Sequence, residues 1–330
     1  MPYAFDLLVV GDANPDVIAG PLPEAIAFGQ REQLVDSGTL TLGGSAAIMA
    51  CGAARLGLRV AFAGRVGDDD AGRYVRDTLA SRGVDVSGLR LDPDLPTPLT
   101  VVLTRGDDRA IVTSPGTLAA TSGRDVPESL LARSRHVHAA SYFLMPGLAA
   151  ALPDLFRTAH AHGASTSLDT NDDPAGRWDP DGIAAVLPHT DILLPNANEA
   201  YRLAQAVEGG DGSPEDLEAN ALALAVRGPL AVVKNGADGA LCHDGTAVLA
   251  TKGISVTPAD AVGAGDSFDA GFVAATLAGL PTATALEFAA VCGALSTRAH
   301  GGTAAQPTWD EARSRLGGHS SVPTTPTITK

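Results

Sequence analysis

Short apolar runs closed by glycine or acidic residues recur along the chain, and between them lie stretches with helical spacing. Phe5 to Gly11 is such a run, ending in Gly-Asp, and it predicts a buried parallel strand whose end opens on a site. Val137 to Ala140, Ser165 to Leu168 and Ile192 to Leu194 predict further strands, separated by helices near Leu148 to His162 and Gly182 to Leu187. This alternation predicts an α/β fold, a parallel sheet with helices on both faces. Asp70 to Ser81 predicts a helix that stops at Arg82-Gly83. Leu99 to Thr104 and Ala110 to Thr113, joined by Arg105 to Arg109, carry a hairpin signature. Residues 17–42 alternate weakly, with Pro and Gly throughout, and are expected to form an exposed excursion; the Ser/Thr/Pro-rich tail 317–330 is expected to be disordered.

Composition narrows the function classes. A formal net charge of −15, with no Lys/Arg patch, argues against a nucleic-acid partner, since phosphate backbones are held by basic side chains. Any phosphate must then be handled by local backbone amides and metal. Cys51, Cys242 and Cys292 are far apart in apolar settings and read as buried thiols of a reducing compartment. The uncharged stretches are rich in Gly, Thr or Pro and look like core helices, not membrane spans. With no basic leader at the N-terminus, a cytoplasmic location is expected.

The most informative stretch is Asp260-Ala261-Val262-Gly263-Ala264-Gly265-Asp266, which runs into an apolar helix. Glycines at 263 and 265 let a ligand approach the backbone, and the first helical N–H groups are free to meet an anion. Asp266 at this junction reads either as a helix-start carboxylate or as a general base for a hydroxyl attacking phosphorus. Asp12-Ala13-Asn14-Pro15-Asp16 reads as an Asx-type turn or a wall of sugar-hydroxyl acceptors, and Gly43-Gly44-Ser45 as a plain turn or a close backbone approach to ligand. The loop from Asp169 through Asn171 stands at a strand end, where ligands bind in open sheets, although a polar surface loop is the rival reading. Asn196 and Glu199 form either a helix cap or oxygen ligands for a hard cation. Lys234-Asn235-Gly236 to Gly239 is a strand breaking into a glycine turn, with Lys234 directed at phosphate or at solvent.

These motifs, in this order, resemble the ribokinase-like, or PfkB, carbohydrate kinases across roughly residues 5–315. The C-terminal signature of that family matches from Asp260 through Asp266, with Ala261 in place of Thr. The resemblance implies a three-layer α/β/α sandwich with a mostly parallel central sheet and a small β-strand lid. It implies one kinase domain over 1–316, with lid segments near 13–42 and 96–116, and a homodimer through the lid.

It further implies transfer of the ATP γ-phosphate to a sugar hydroxyl. Asp266 would be the base and Gly263, Ala264 and Gly265 the anion hole. Asp12, Asn14, Asp16, Gly43, Gly44, Ser45 and Asn171 would hold the acceptor, and Lys234, Gly236 and Gly239 would border the nucleotide. Mg2+ would be held through water by Asn196 and Glu199, and a monovalent cation such as K+ near Asp260. Two departures stand out. Ile48 occupies the position of a substrate-binding Asn, which argues against ribose, and Asp173 that of an Arg, which argues against an acidic acceptor and for a neutral sugar. A nucleoside kinase of the same fold, and a non-catalytic sugar-binding relative, are the alternatives.

Overall fold

A computed structural model of the chain describes residues 3–23, 26–106, 108–208, 213–317 and 322–326. The strands are β1 (Phe5–Val10), β2 (Asn14–Gly20), β3 (Ser37–Gly43), β4 (Val60–Gly67), β5 (Asp85–Asp92), β6 (Leu99–Arg105) and β7 (Asp108–Ser114), followed by β8 (Ser134–Ala140), β9 (Ser165–Asp169), β10 (Ile192–Leu193), β11 (Leu230–Lys234), β12 (Ala240–His243) and β13 (Val248–Thr251). Nine of them form one sheet in the order β13-β12-β11-β10-β9-β8-β1-β4-β5. From β5 to β11 every pairing is parallel, and β12 and β13 close the edge antiparallel.

Both faces of this sheet are covered, which is why its central strands read as continuous apolar runs. Leu7 and Val9 of β1 face one core with the helices Ser45–Arg55, Ala264–Leu277 and Thr282–Ser296, while Leu8 and Val10 face the other, with Leu152–Ala161, Ala197–Glu208 and Leu217–Ala225. The expected three-layer α/β/α architecture is present. Sequence order reverses at β1, which lies between β4 and β8. The carboxyl ends of strands beside such a switch are where open α/β sheets bind ligands.

A second sheet, β3-β2-β6-β7, stands apart. The hairpin β6-β7 was legible from its turn; β2 and β3 were not, because Asn14-Pro15-Asp16 reads as a turn and yet runs as the start of a strand. β2 and β3 lie in the segment expected as an exposed excursion. β7 is exposed along its length.

In the tail, residues 318–321 and 327–330 lie outside the described residues, as do 24, 25 and 107 of the expected lid segments. Within 322–326, Val322 is buried and the Trp309 indole donates to the Pro323 carbonyl (2.9 Å). The three cysteines are free and buried, and burial raises each thiol's pKa. Among the described residues, no helix is long and apolar enough to cross a membrane.

Candidate active site

The helix Ala264–Leu277 starts at Gly263, whose φ of 73° is the left-handed conformation that glycine adopts without strain. No side chain caps this N-terminus. A Cβ at Gly263 would stand 2.7 Å from the Gly302 Cα, so the loop fits only with glycine there. Asp260 ties the approach: its carboxylate accepts from the Val262 N–H (3.0 Å) and the Gly301 N–H (2.9 Å). Ile48 is buried against Gly263 and Gly302, so this position supports the loop.

In front of the helix lies a cavity of about 580 Å³ lined mainly by small and apolar residues, among them Gly236, Gly239, Val256, Ala264, Gly265 and Gly293. Lys234 is the charged residue of its wall. Gly239 has φ 101°, and a Cβ there would lie 2.1 Å from the Thr251 carbonyl oxygen.

Asp266 sits in the first turn and is buried. Burial, and after it the neighbouring Asp169, push its carboxyl up to about 8, with Asp12 adding to the rise and Lys234 and the Ser45 hydroxyl opposing it. One turn on, Asp269 is buried too. Carboxylate oxygens of Asp169, Asp266 and Asp269 lie within 4.8 Å of one another.

The cation among them is Lys234. Its Nζ donates to Asp169 Oδ2 (2.6 Å) and to both oxygens of Asp269 (3.1 and 3.2 Å). Of the two orientations the sequence left open, solvent is thus excluded: the ammonium is paired within the protein, and Lys234 lines the cavity. Asp269 is the residue sequence reasoning missed; Asp169 reads in the sequence only as the start of a strand-end loop, not as a partner of Lys234. For Asp269 the signal was its spacing of three from Asp266, which places both on one helical face.

On the other side of Asp266, the elements after β1, β3, β8 and β9 converge. Asp12 accepts from the Ser45 N–H (3.1 Å) and the Ala46 N–H (3.0 Å) at the start of helix Ser45–Arg55. Gly44, at φ 89°, allows that approach, since a Cβ there would stand 2.8 Å from the Asp12 carbonyl oxygen. Asn171 Nδ2 donates to Ser45 Oγ (3.0 Å), and Asn171 Oδ1 accepts from the Ser141 N–H (2.8 Å). Ser141 and Asn171 both hold positive φ, 58° and 55°, a strain that clusters where function is organised.

Asn14 Nδ2 donates to Asp16 Oδ1 (2.7 Å) and to Thr100 Oγ1 (3.2 Å), so strand β6 of the small sheet joins this wall. Burial lifts the Asp16 carboxyl to about 7. Gly43 packs directly on Asp16, whose carboxylate would lie 2.1 Å from a Cβ at that position. Asp12, Asn14, Asp16, Gly43, Gly44, Ser45 and Asn171 are thus brought together as expected.

Asp173, at the position expected to carry Arg, turns back to cap its own loop, accepting from the N–H groups of Ala175, Arg177 and Trp178. Asn196 and Glu199 form a reciprocal cap: Glu199 accepts from the Asn196 N–H (2.8 Å) and Nδ2 (2.6 Å), and its own N–H donates to Asn196 Oδ1 (3.0 Å). Burial, then the charge of Asp169, raise Glu199 to about 7. As an oxygen-only donor with lone pairs to spare, this pair suits a hard cation held through its water.

A cavity rich in glycine, a helix N-terminus with a buried carboxylate, and a facing wall of hydrogen-bonding side chains fit a phosphotransferase that acts on an alcohol. The pfkB family carbohydrate kinase profile matches residues 4–309, and the chain belongs to that family. An ATP-dependent ribose-1-phosphate kinase of Halopiger xanaduensis is 33% identical over 307 residues, covering 92% of this chain and 95% of that protein. The structure of a fructokinase with bound ATP from Xylella fastidiosa superposes with a TM-score of 0.79 at 26% identity, over 95% of this chain and 98% of the other. An Escherichia coli protein solved with ATP and Mg2+, described as a ribokinase II, gives 0.79 at 24%, over 94% and 98%.

Proposed function

We propose that the protein transfers the γ-phosphate of ATP to a hydroxyl of a neutral sugar, with Asp266 as the general base. The Asp266 carboxylate takes the hydroxyl proton, the sugar oxygen bonds to the γ-phosphorus, and the bond to the bridging oxygen of ADP breaks. The amides at Gly263, Ala264 and Gly265 face the transferring group and stabilise its charge. The observation that carries this reading is the placement of Asp266, buried in the helix turn whose Ala264 and Gly265 line the cavity, with Ser45 and Asp12 of the acceptor wall acting on its carboxyl.

The nucleotide lies in the cavity bordered by Lys234, Gly236 and Gly239. Asn196 and Glu199 would hold Mg2+ through water, where the ion would neutralise phosphate charge. The acceptor is held by Asp12, Asn14, Asp16, Ser45 and Asn171, with Gly43 and Gly44 allowing its approach. Two carboxylates in that wall, and Asp173 in place of a cation, favour an uncharged acceptor over a sugar phosphate or sugar acid. The loops around Asp260 and Gly301 would seat a monovalent cation on backbone carbonyls. The exposed apolar residues Leu40, Ile111 and Val112 of the small sheet suit a homodimer contact over the lid.

The test is ADP release with Mg-ATP against neutral hexoses and pentoses, sugar acids, sugar phosphates including ribose 1-phosphate, and nucleosides. Turnover on a neutral sugar is the expected result. Turnover confined to a phosphorylated acceptor or a nucleoside would replace the substrate assignment, and silence on all of them would refute the kinase.

A further inference from the structure

The acidic floor of the site calls for an account of its charge. Asp169, Asp266 and Asp269 crowd their oxygens within 4.8 Å, and Asp12 and Glu199 are buried around them. A triphosphate brought over such a floor would be repelled unless a fixed positive charge offset it.

The cation is built in. Lys234 ends β11, next to the Gly236–Gly239 turn, and its side chain is only 10% exposed. It is carried between the end of β9, which bears Asp169, and the helix Ala264–Leu277, which bears Asp269. A Cβ at Gly265 would lie 3.5 Å from its Nζ, and Lys234 and Gly265 both line the cavity, so the ammonium sits beside the anion-hole loop.

We propose that Lys234 is a positioning residue that acts through the two carboxylates it pairs: it is the permanent counter-cation of the Asp169–Asp269 floor and supplies positive charge beside Gly265 where the triphosphate lies. The inference rests on the kinase reading of the cavity. It differs from a phosphate-binding lysine because both carboxylates hold the ammonium, and the side chain need not move to act. The ionisation pattern agrees. Burial lowers the Lys234 pKa, but Asp169, Asp269 and Glu199 outweigh it and keep the ammonium charged. Burial also raises Asp269, and Lys234 only partly offsets this; Asp169, although buried, is held low by Lys234.

The experiment compares wild type, Lys234→Met and the doubly substituted Asp169→Asn/Lys234→Met by calorimetric titration with Mg-ATP and by thermal unfolding. Removing the cation alone leaves an excess negative charge under the nucleotide, and Mg-ATP binding should weaken by roughly ten- to a hundredfold. The double substitution restores the wild-type net charge with similar volumes, and the Asn can still accept from the Asn171 N–H that now bonds Asp169 (3.1 Å). It should regain at least about tenfold in affinity and unfold at a higher temperature than Lys234→Met. If Lys234→Met fails to fold while the double variant folds and binds, the counter-cation role stands.

A double variant no better than the single one, or failure of both to fold, would overturn the proposal and assign Lys234 to packing. Affinity unchanged in Lys234→Met would overturn it while leaving the kinase reading intact. Absence of Mg-ATP binding by wild type would overturn both.

Discussion

The two halves of the site are built from different material. The half proposed to hold the nucleotide is a cavity of glycines, alanines and other apolar residues at a helix N-terminus, with Lys234 as its charged residue. The acceptor half is side chains: Asp12, Asn14, Asp16, Ser45 and Asn171, each fixed by a named hydrogen bond and completed by Thr100 from the small sheet. Under the proposed kinase reading, the difference follows from the ligands. A triphosphate offers charge that amides and a dipole can meet, whereas a sugar offers hydroxyls that need individually aimed acceptors. Substitutions at the nucleotide half should therefore act through steric access and field, and those at the acceptor half through lost partners.

Asp266 joins the halves, and removing its charge has the largest expected effect. Asp266→Asn should lower turnover by on the order of a hundred- to ten-thousandfold while Mg-ATP still binds, read from kcat against a directly measured Kd. Next comes Gly43→Ala, whose methyl would meet the Asp16 carboxylate at 2.1 Å and displace it from Asn14. The acceptor KM should rise by roughly ten- to a hundredfold with the KM for ATP nearly constant. The same added methyl in the other half, Gly265→Ala, meets only the Lys234 side chain at ordinary contact distance, 3.5 Å and beyond. Steady-state kinetics should change by less than about threefold there, and a large loss would break the comparison.

Smallest is a stability effect of opposite sign to the catalytic one. The Asp266 carboxyl is raised in the folded state, so its stabilising protonation is lost as pH climbs from the ordinary carboxylate range towards about 8. Asp266→Asn should therefore melt at a higher temperature than wild type, with a margin that widens across that interval. The histidines of β8 provide the contrasting case. His136 and His138 hydrogen-bond to Ser165 and Ser167 across β9, and burial lowers them to about 3 and about 4. Their contribution is present above the usual histidine pKa and fades as pH falls towards those values.

Sequence alone carried the alternation of strands and helices, because a sheet covered on both faces must be apolar throughout. It also carried the glycine and acidic motifs that the sheet switch gathers. It could not carry the partners of Lys234, which are 65 and 35 residues away and depend on the order of β9 and β11 and on the turn of a helix against them. Nor could it separate the role of Asp173 from a ligand's, since a carboxylate capping its own loop and one facing a substrate have the same local pattern.

The most direct test of the central claim is the pH dependence of kcat/KM for the best acceptor, taken for wild type and Asp266→Asn together. If Asp266 is the base, the wild-type value rises with pH through an apparent pKa well above that of an ordinary carboxylate, near about 8, and the rise is absent from the residual activity of the variant. A wild-type profile already flat from pH 5 upward, or the same rise in both proteins, would contradict it.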